Sequence, residues 1–487
     1  MQLEDDLCLL SGTRLASLIR SGRVTAREVL ERHIEQIERV NPVINALVHD
    51  RFEHARREAD EADARVRQTA PEDLPLLFGV PCSIKEAFSL SGMPNTSGLM
   101  ARRGITAERD ATVVKRLREG GAIPVGVTNV SELCMWMESS NRVYGRTNNP
   151  YDPRRMVGGS SGGEGALIAT GAVPFGLGSD IGGSIRMPAF FNGVFGHKPT
   201  GGLVPSTGQF PISHGDALHM LTSGPLARRA EDLWPLLELM AGPDGQDQAC
   251  RDFLLGDPSS VDLRNIVVLD VPNDGKRPVA SSLERAQQRA SSWLSAAGAA
   301  VHKTKLPRMA RAVEIWSARL NRSGGDSFAC LLGSGKEDRS VGLLARWLLR
   351  RSPHTLPAIL LAYLEGIQSL TPERSRKALR EGEILKEEVL GELGSDGVML
   401  YPSFARPAPL HYVPMLRPFE FRYTAIFNVL ELPVTQVPLG LDERGVPLGV
   451  QVVAAPGNDH LTIAVAMELE RAFGGWRPPA RWFGDST

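Results

Sequence analysis

Glycine and serine are unusually dense between residues 157 and 208 of this chain. The block contains VGGSSGGEG, GLGSDIGGSIR and GHKPTGGLVPSTG, a composition also found in flexible linkers. It is interleaved, however, with the apolar segments ALIATGAVPFGL and MPAFFNGVFG, which linkers lack. Because glycine permits close backbone approach and dihedral angles that other residues avoid, the block predicts a folded functional site.

Strand-like and helix-like segments alternate before and after this block. FGVPCSIKEAF is short, apolar and strand-like, and it is followed by a helical pattern at 111–119 and a buried strand at 123–128. Such alternation predicts an α/β fold with parallel strands. Near the C-terminus, LPVTQVPLGLDERGVPLGVQVVA predicts a hairpin with its turn at 442–445.

The N-terminal 70 residues have a helical pattern. Thr25 is expected to cap a helix whose apolar residues recur at helical spacing, and Asn41-Pro42 is expected to end it. A second helix, rich in charge and therefore expected at the surface, follows at about 51–67.

Charge and cysteine content exclude several classes of protein. The 487 residues carry 55 basic and 56 acidic side chains, and this balance argues against a nucleic-acid partner. The five cysteines include no CxxC pair and predict neither zinc nor a disulfide framework, and no cofactor is expected. The acidic N-terminal stretch and the lack of a long apolar run predict a cytoplasmic protein without a signal peptide or membrane-spanning helix.

Three residues could supply the nucleophile, proton carrier and oxyanion donors that amide hydrolysis requires. Lys85 follows an apolar run, and burial would favour its neutral form, although a strand-end lysine with its head in water is the commoner case. Ser160 lies in GGSSGG, which matches the GxSxG pattern but also suits a plain turn. Ser184 follows two glycines whose N–H groups can form an anion-binding nest.

Other interpretations of these loops stay open at this point. Gly-Gly-Ser-Ser-Gly-Gly resembles a phosphate loop but lacks the closing Gly-Lys-Ser/Thr. Ser160 could be the nucleophile of a conventional triad with His460, which would leave Lys85 and the Ser184 loop unexplained. Asp180 and Arg186 flank that loop and are expected to pair, either to hold it or as a surface ion pair.

Taken together, the motifs resemble the amidase signature family. The resemblance rests on Lys85, the block 158–165, the segment DIGGSIRMPAFFNGVFGHKPT at 180–200, and the spacing of 24 positions between Ser160 and Ser184. Within the family, GGSSGGEGALI, LARWLLRRSPHTLPAI and VPLGVQVVAAPGNDHLTIAVA are similar to segments of fatty acid amide hydrolases of the second mammalian type.

The resemblance implies an α/β/α sandwich with a central mixed, mostly parallel β-sheet covered by helices on both faces. It implies one domain over 1–487. The expected parts are N-terminal helices at 1–70, a catalytic core at 71–240, a variable α/β and helical cap region at 241–395, and a C-terminal return to the sheet at 396–487.

The resemblance also implies a Ser–cis-Ser–Lys triad. Ser184 would be the acylated nucleophile, Ser160 would follow a cis peptide bond and relay protons, and Lys85 would be the base. The backbone N–H groups expected to form the oxyanion hole are those of Ile181, Gly182, Gly183 and Ser184. The residues expected on the substrate side are Cys134, Met135 and Ser161.

The expected function is therefore a serine hydrolase acting on small or hydrophobic carboxamides. A carbamate or ester hydrolase on the same triad is the nearest alternative, and the A subunit of a tRNA-dependent amidotransferase is a third. The partner is a small-molecule amide or carbamate. The apolar, arginine-flanked segment 343–363 leaves open a peripheral membrane contact, an entrance cap or a homodimer interface.

Overall fold

A computed structural model describes residues 6–333, 335, 341–368 and 372–483. Its α-helices are α1 (Gly12–Arg20), α2 (Ala26–Ile44), α3 (Phe52–Val66), α4 (Thr112–Glu119), α5 (Gly162–Ala169), α6 (Arg186–Phe191), α7 (Asp216–Met220), α8 (Leu233–Met240), α9 (Ser281–Ala296), α10 (Ala312–Arg322), α11 (Phe328–Leu332), α12 (Val341–Leu348), α13 (Leu356–Gln368), α14 (Pro372–Leu393), α15 (Val413–Leu416), α16 (Arg422–Val429), α17 (Asp459–Phe473) and α18 (Ala480–Phe483). Its strands are β1 (Leu47–Asp50), β2 (Pro81–Lys85), β3 (Ile123–Thr128), β4 (Ser140–Asn141), β5 (Gly145–Arg146), β6 (Phe175–Asp180), β7 (Phe195–Lys198), β8 (Thr222–Ala227), β9 (Val267–Asp270), β10 (Ala300–Lys303), β11 (Gly397–Tyr401), β12 (Val434–Leu441) and β13 (Pro447–Ala454).

Within the described residues, eleven strands form one sheet in the order β1-β3-β2-β6-β8-β7-β12-β13-β11-β9-β10. Parallel pairing joins β2 to β3 and β6, and β9 to β10 and β11. The remaining neighbours pair antiparallel. The short strands β4 and β5 form a separate hairpin.

The sheet is mixed, as the sequence predicted, but the expectation that it is mostly parallel is wrong. Six of its ten pairings are antiparallel. Strand–helix alternation suggests parallel crossovers, but β7 and β8 pair antiparallel with each other and with their other sheet neighbours. The C-terminal hairpin β12–β13, predicted correctly, then adds three antiparallel pairings through its own pair and its contacts with β7 and β11.

Helices cover both faces of the sheet. Successive strand residues point to opposite faces, so Thr435 and Gln436 lie on different sides of β12. The Thr435 hydroxyl donates to Thr462 of α17 on one face. On the other face Gln451, the partner of Gln436 in β13, accepts a hydrogen bond from Arg186 of α6. Every residue of β2, β3, β6 and β8 is buried, as strands covered on both faces require.

The N-terminal helix α2 begins as predicted and ends later than predicted. Thr25 and Glu28 form a capping box, in which each side chain accepts from the other residue's N–H. The helix passes through Pro42 and stops at Asn45, whose φ of 49° is left-handed. Asn41 does not end the helix; its side-chain oxygen accepts from the N–H groups of Ala46 and Leu47 beyond it.

The segment 343–363 consists of most of α12, a turn and most of α13. Leu348 and Leu349 at the end of α12 are exposed, whereas Ala358, Ile359 and Ala362 of α13 are buried. In the part of the chain that the structure describes, no helix combines the length and the apolar character needed to cross a membrane.

Candidate active site

The candidate catalytic residues meet where two parallel strands end. Lys85 is the last residue of β2 and Asp180 is the last residue of β6, and parallel pairing brings these two carboxyl ends to the same edge. Ser184 lies in the loop between β6 and α6, and Ser160 lies just before α5. Loops at the carboxyl ends of parallel strands are a common place for binding sites in α/β folds.

Lys85 is fully buried and bonded to serines. Its Nζ lies 2.7 Å from Ser160 Oγ, 2.9 Å from Ser179 Oγ and 3.4 Å from the Ser179 carbonyl oxygen. Within the described residues no carboxylate pairs with this nitrogen, so nothing compensates directly for the loss of hydration of a charged ammonium group. Burial therefore lowers the pKa of Lys85 and favours the neutral amine.

Ser160 follows a cis peptide bond to Gly159, as the family resemblance implies. Its carbonyl accepts from the Ser139 hydroxyl, and the N–H of the next residue, Ser161, donates to the Ser184 carbonyl at 3.2 Å. This backbone bond ties the two serine loops to each other. Both Ser160 and Ser184 open onto the same cavity, and Ser184 is only 7% exposed.

A buried ion pair anchors the loop that carries Ser184. Asp180 and Arg186 have fully buried side chains and pair at 2.9 Å and 3.0 Å, which confirms that they pair and rules out the surface alternative. Burial alone would raise the pKa of Asp180. The Arg186 guanidinium and the hydrogen bonds from Arg186 and Asn428 outweigh burial, so the pKa lies well below its usual value.

The Asp180 carboxylate also takes up one of the expected oxyanion donors. It accepts from the N–H of Gly183 at 2.6 Å, as well as from that of Ile185 at 3.1 Å. The predicted set of four donors is therefore too large by Gly183. In the described part of the chain, the N–H groups of Ile181, Gly182 and Ser184 have no protein acceptor.

A second buried carboxyl group, that of Glu164, lies near Lys85. Glu164 of α5 accepts from the hydroxyl groups of Ser83 at 2.5 Å and Thr128 at 2.7 Å. Burial raises the pKa of Glu164 to about 7, and the hydrogen bonds and the nearby Lys85 oppose this shift. A carboxyl group with this pKa is only partly ionised near pH 7, which limits the negative charge that Lys85 experiences.

The cavity in front of the two serines has a volume of about 500 Å³. Cys134 and Met135, which the resemblance places on the substrate side, line it together with Trp316, Phe421 and Leu361 of α13. The size falls within the range of small-molecule sites, and the lining is dominated by apolar side chains.

Ser161 and the candidate histidines lie away from the cavity. Ser161 does not line the cavity; it is fully buried behind the wall, where its hydroxyl faces the Ser179 backbone. His197 is buried between Thr435 and Asp459, with both ring nitrogens engaged, which fits a structural packing role. His460 lies beside Gly256, outside the cavity lining. In the described residues no histidine bonds to Ser160 or Ser184, so the conventional triad is not formed.

Sequence reasoning missed several residues that hold the site. Lys85 donates to Ser179 as well as to Ser160. Two residues of α16, Thr424 and Asn428, donate hydrogen bonds to the Ser184 loop. Thr424 Oγ1 donates to the Gly182 carbonyl at 2.7 Å, and Asn428 donates to the Asp180 carbonyl and carboxylate at 2.9 Å. The sequence RYTAIFNV of α16 carries no motif that could have indicated these contacts.

Comparison with known proteins identifies the family of this chain. Residues 28–463 match the family described as Amidase. The chain is 46% identical over 494 residues to fatty-acid amide hydrolase 2 of Homo sapiens, covering 98% of this chain and 92% of that protein. It is 31% identical over 478 residues to indoleacetamide hydrolase of Bradyrhizobium diazoefficiens, covering 95% and 86%.

Solved structures agree with the sequence comparison. The structure of 6-aminohexanoate cyclic dimer hydrolase complexed with substrate superposes with a TM-score of 0.80 at 26% identity, covering 98% of this chain and all of the other. A bacterial aryl acylamidase superposes with a TM-score of 0.83 at 22% identity, which shows the shared fold. The chain belongs to the amidase family.

Proposed function

We propose that the chain is a serine hydrolase that cleaves the C–N bond of small or hydrophobic carboxamides. Ser184 is the nucleophile, Ser160 relays protons and Lys85 is the base. The observation that carries the proposal is the 2.7 Å contact between Lys85 Nζ and Ser160 Oγ, since this lysine is buried and has no carboxylate partner among the described residues.

Acylation begins with the neutral amine of Lys85. Lys85 takes the proton of Ser160, and Ser160 takes the proton of Ser184 as Ser184 Oγ attacks the carbonyl carbon of the amide. The Ser184 hydroxyl has no hydrogen bond in the described part of the chain, and its link to Ser160 would tighten only when substrate is bound. The attack forms a tetrahedral intermediate with a negatively charged oxygen.

The N–H groups of Ile181, Gly182 and Ser184 are the donors best suited to this oxygen. They belong to the loop that carries the nucleophile and have no other acceptor within the described residues. Donors that are already oriented stabilise the developing charge without reorganisation, and each contributes about 10²–10³-fold to kcat.

The same relay completes the reaction. The protonated Lys85 returns its proton through Ser160 to the amide nitrogen, and the C–N bond breaks as the amine leaves. Water then attacks the acyl-enzyme, giving one proton to the relay and its oxygen to the acyl carbon. The carboxylic acid leaves, and Ser184 recovers its proton.

The cavity indicates the kind of substrate. Its lining includes Met135, Trp136 and Phe421, together with Leu361 and Leu364 of α13. Flexible thioether and aromatic side chains suit an apolar acyl or aryl group. Relatives named for fatty-acid amides and for indoleacetamide support the same class of substrate.

We further propose that the segment 343–363 caps the cavity within a single domain. Pro357, Leu360 and Leu361 of α13 line the cavity wall. The start of α13 is fastened to the wall segment beside Cys134, because Glu132 accepts from His354 Nδ1 at 2.7 Å and from the Thr355 N–H at 2.8 Å. These contacts favour the entrance cap over the other two roles considered for this segment.

The proposal is tested with purified protein and a panel of acyl donors. The panel contains p-nitroanilides of increasing acyl length, primary fatty amides, aryl carbamates and p-nitrophenyl esters. The wild type is expected to hydrolyse amides, and Ser184→Ala is expected to remove this turnover. Fluorophosphonate is expected to label position 184 in the wild type only. Equal melting temperatures of the wild type and Ser184→Ala would show that the substitution leaves the fold intact. Amide turnover that survives in Ser184→Ala would contradict the assignment, and carbamate turnover without amide turnover would contradict the substrate class.

A further inference from the structure

The loop before Ser184 is held by side chains from three separate parts of the chain. The indole N–H of Trp316 donates to the Ile181 carbonyl at 2.7 Å. Thr424 donates to the next carbonyl, that of Gly182, and the Asp180 carboxylate accepts the N–H of Gly183. Consecutive peptide groups of the loop are therefore fixed one by one.

Fixing a carbonyl also fixes the N–H on the opposite side of the same peptide plane. The Ile181–Gly182 bond is trans, so its carbonyl and the Gly182 N–H point in opposite directions. Trp316 holds the carbonyl, and the direction of the Gly182 N–H follows. The next peptide group, Gly182–Gly183, is held through its carbonyl by Thr424, but its N–H already donates to Asp180. The Ile181–Gly182 peptide differs, because its N–H has no protein acceptor among the described residues.

Trp316 is suited to this task by its chemistry and its packing. An indole N–H is a donor without acceptor capacity, so it can hold the carbonyl but cannot accept the Gly182 N–H and allow the peptide to turn over. The ring lies against Phe421 in an edge-to-face contact, with centroids 5.1 Å apart and planes at 77°. Trp316 also lines the cavity. It belongs to α10, which lies within 241–395, the part of the chain that the resemblance implies to be variable.

We propose that Trp316 is a positioning residue for the oxyanion hole: its indole N–H orients the Ile181–Gly182 peptide so that the Gly182 N–H is presented to the oxyanion. This inference rests on the proposed chemistry at Ser184. It predicts that the indole N–H contributes to stabilising the transition state more than to binding the substrate, because the oxyanion exists only after attack.

The test is Trp316→Phe, which keeps an aromatic ring and removes the donor. With a p-nitroanilide substrate, kcat is expected to fall about 10- to 100-fold, somewhat less than for the loss of a donor itself, while KM changes by less than about threefold. A trifluoromethyl ketone with the same acyl group, which forms a charged hemiketal with Ser184, is expected to bind more weakly by the same factor as the loss in kcat/KM. The matched control is Trp293→Phe on α9, a half-buried tryptophan outside the cavity lining, which is expected to leave all three quantities unchanged.

Three results would overturn the inference. The first is a kcat within twofold of wild type, and the second is a change in KM alone, which would make the ring only a cavity wall. The third is a loss of kcat without weaker binding of the ketone, which a general structural defect would produce. Each of these, with turnover still abolished in Ser184→Ala, would leave the proposed function standing. Turnover that survives in Ser184→Ala would overturn both.

Discussion

Lys85 Nζ lies 2.7 Å from Ser160 Oγ, and solvent has almost no access to either side chain. A lysine in such a place is ordinarily paired with a carboxylate, but the hydrogen bonds of Lys85 within the described residues go to Ser160 and Ser179. The nearby carboxyl groups stabilise the charged form of Lys85 only weakly, since Asp180 is engaged by Arg186 and Glu164 has a pKa of about 7. The arrangement favours an uncharged amine that can act as a base.

The first prediction concerns the pH dependence of the rate. Because burial lowers the pKa of Lys85, kcat/KM for amide hydrolysis is expected to rise with pH as Lys85 loses its proton, with an inflection below the ordinary lysine value of 10.5. Lys85→Met, which keeps a long apolar stem, is expected to lose about 10²–10⁴-fold in kcat/KM and this rise with pH. A Lys85→Met profile with the wild-type inflection would assign the titration to another group.

The second prediction concerns the buried ion pair behind Ser184. Asp180→Asn leaves the Arg186 charge buried without its partner, so the free energy of unfolding is expected to fall by about 3–5 kcal/mol in urea titrations. The matched control is Asp262→Asn, which breaks an exposed aspartate–arginine pair with Arg264 and is expected to leave stability unchanged. Equal stability of the two variants would show that the buried pair does not anchor the loop.

Much of the fold and part of the site could be predicted from local sequence. The cap of α2 by Thr25, the hairpin β12–β13 and the pairing of Asp180 with Arg186 are encoded within short segments, and all three are confirmed. The sequence does not predict that α2 continues past Pro42. The Asn41 side chain accepts from the N–H groups of Ala46 and Leu47 after the helix, an effect that residue preferences do not reveal.

The rest of the site depends on contacts between distant segments. Trp316 lies 135 positions from Ile181, and Thr424 lies 242 positions from Gly182. Their own sequence neighbourhoods look like ordinary helices, and only the strand order of the folded sheet brings them to the Ser184 loop. For the same reason the loss of Gly183 as an oxyanion donor could not be foreseen, since it depends on where the Asp180 carboxylate points.

The third prediction separates the two glycines of this loop. Gly183 has a φ of 125°, and a β-carbon there would lie 2.6 Å from Thr424 Cβ and closer still to its hydroxyl. Gly183→Ala is therefore expected to lower the free energy of unfolding by more than about 2 kcal/mol and to slow fluorophosphonate labelling. At Gly182 the nearest atom would be the Trp316 nitrogen at 3.4 Å, so Gly182→Ala is expected to change stability by less than about 1 kcal/mol. The reverse order of stabilities would mean that the loop has a different conformation.

The fourth prediction tests whether the cavity holds the acyl group. Leu361 of α13 lines the cavity, and Leu361→Trp would fill part of its volume of about 500 Å³. Each methylene of a substrate buried in an apolar site contributes about 0.8 kcal/mol, so excluding a few of them is expected to raise KM for a decanoyl anilide at least about tenfold. An acetyl group is much shorter than a decanoyl group and is not expected to reach this wall, so the KM of the acetyl anilide is expected to stay within about twofold. The matched control is Leu348→Trp on α12, where the side chain is 69% exposed and outside the cavity lining, so neither substrate should respond. If Leu361→Trp affected both anilides equally, the acyl chain would have to run in another direction, and α13 would not be its cap.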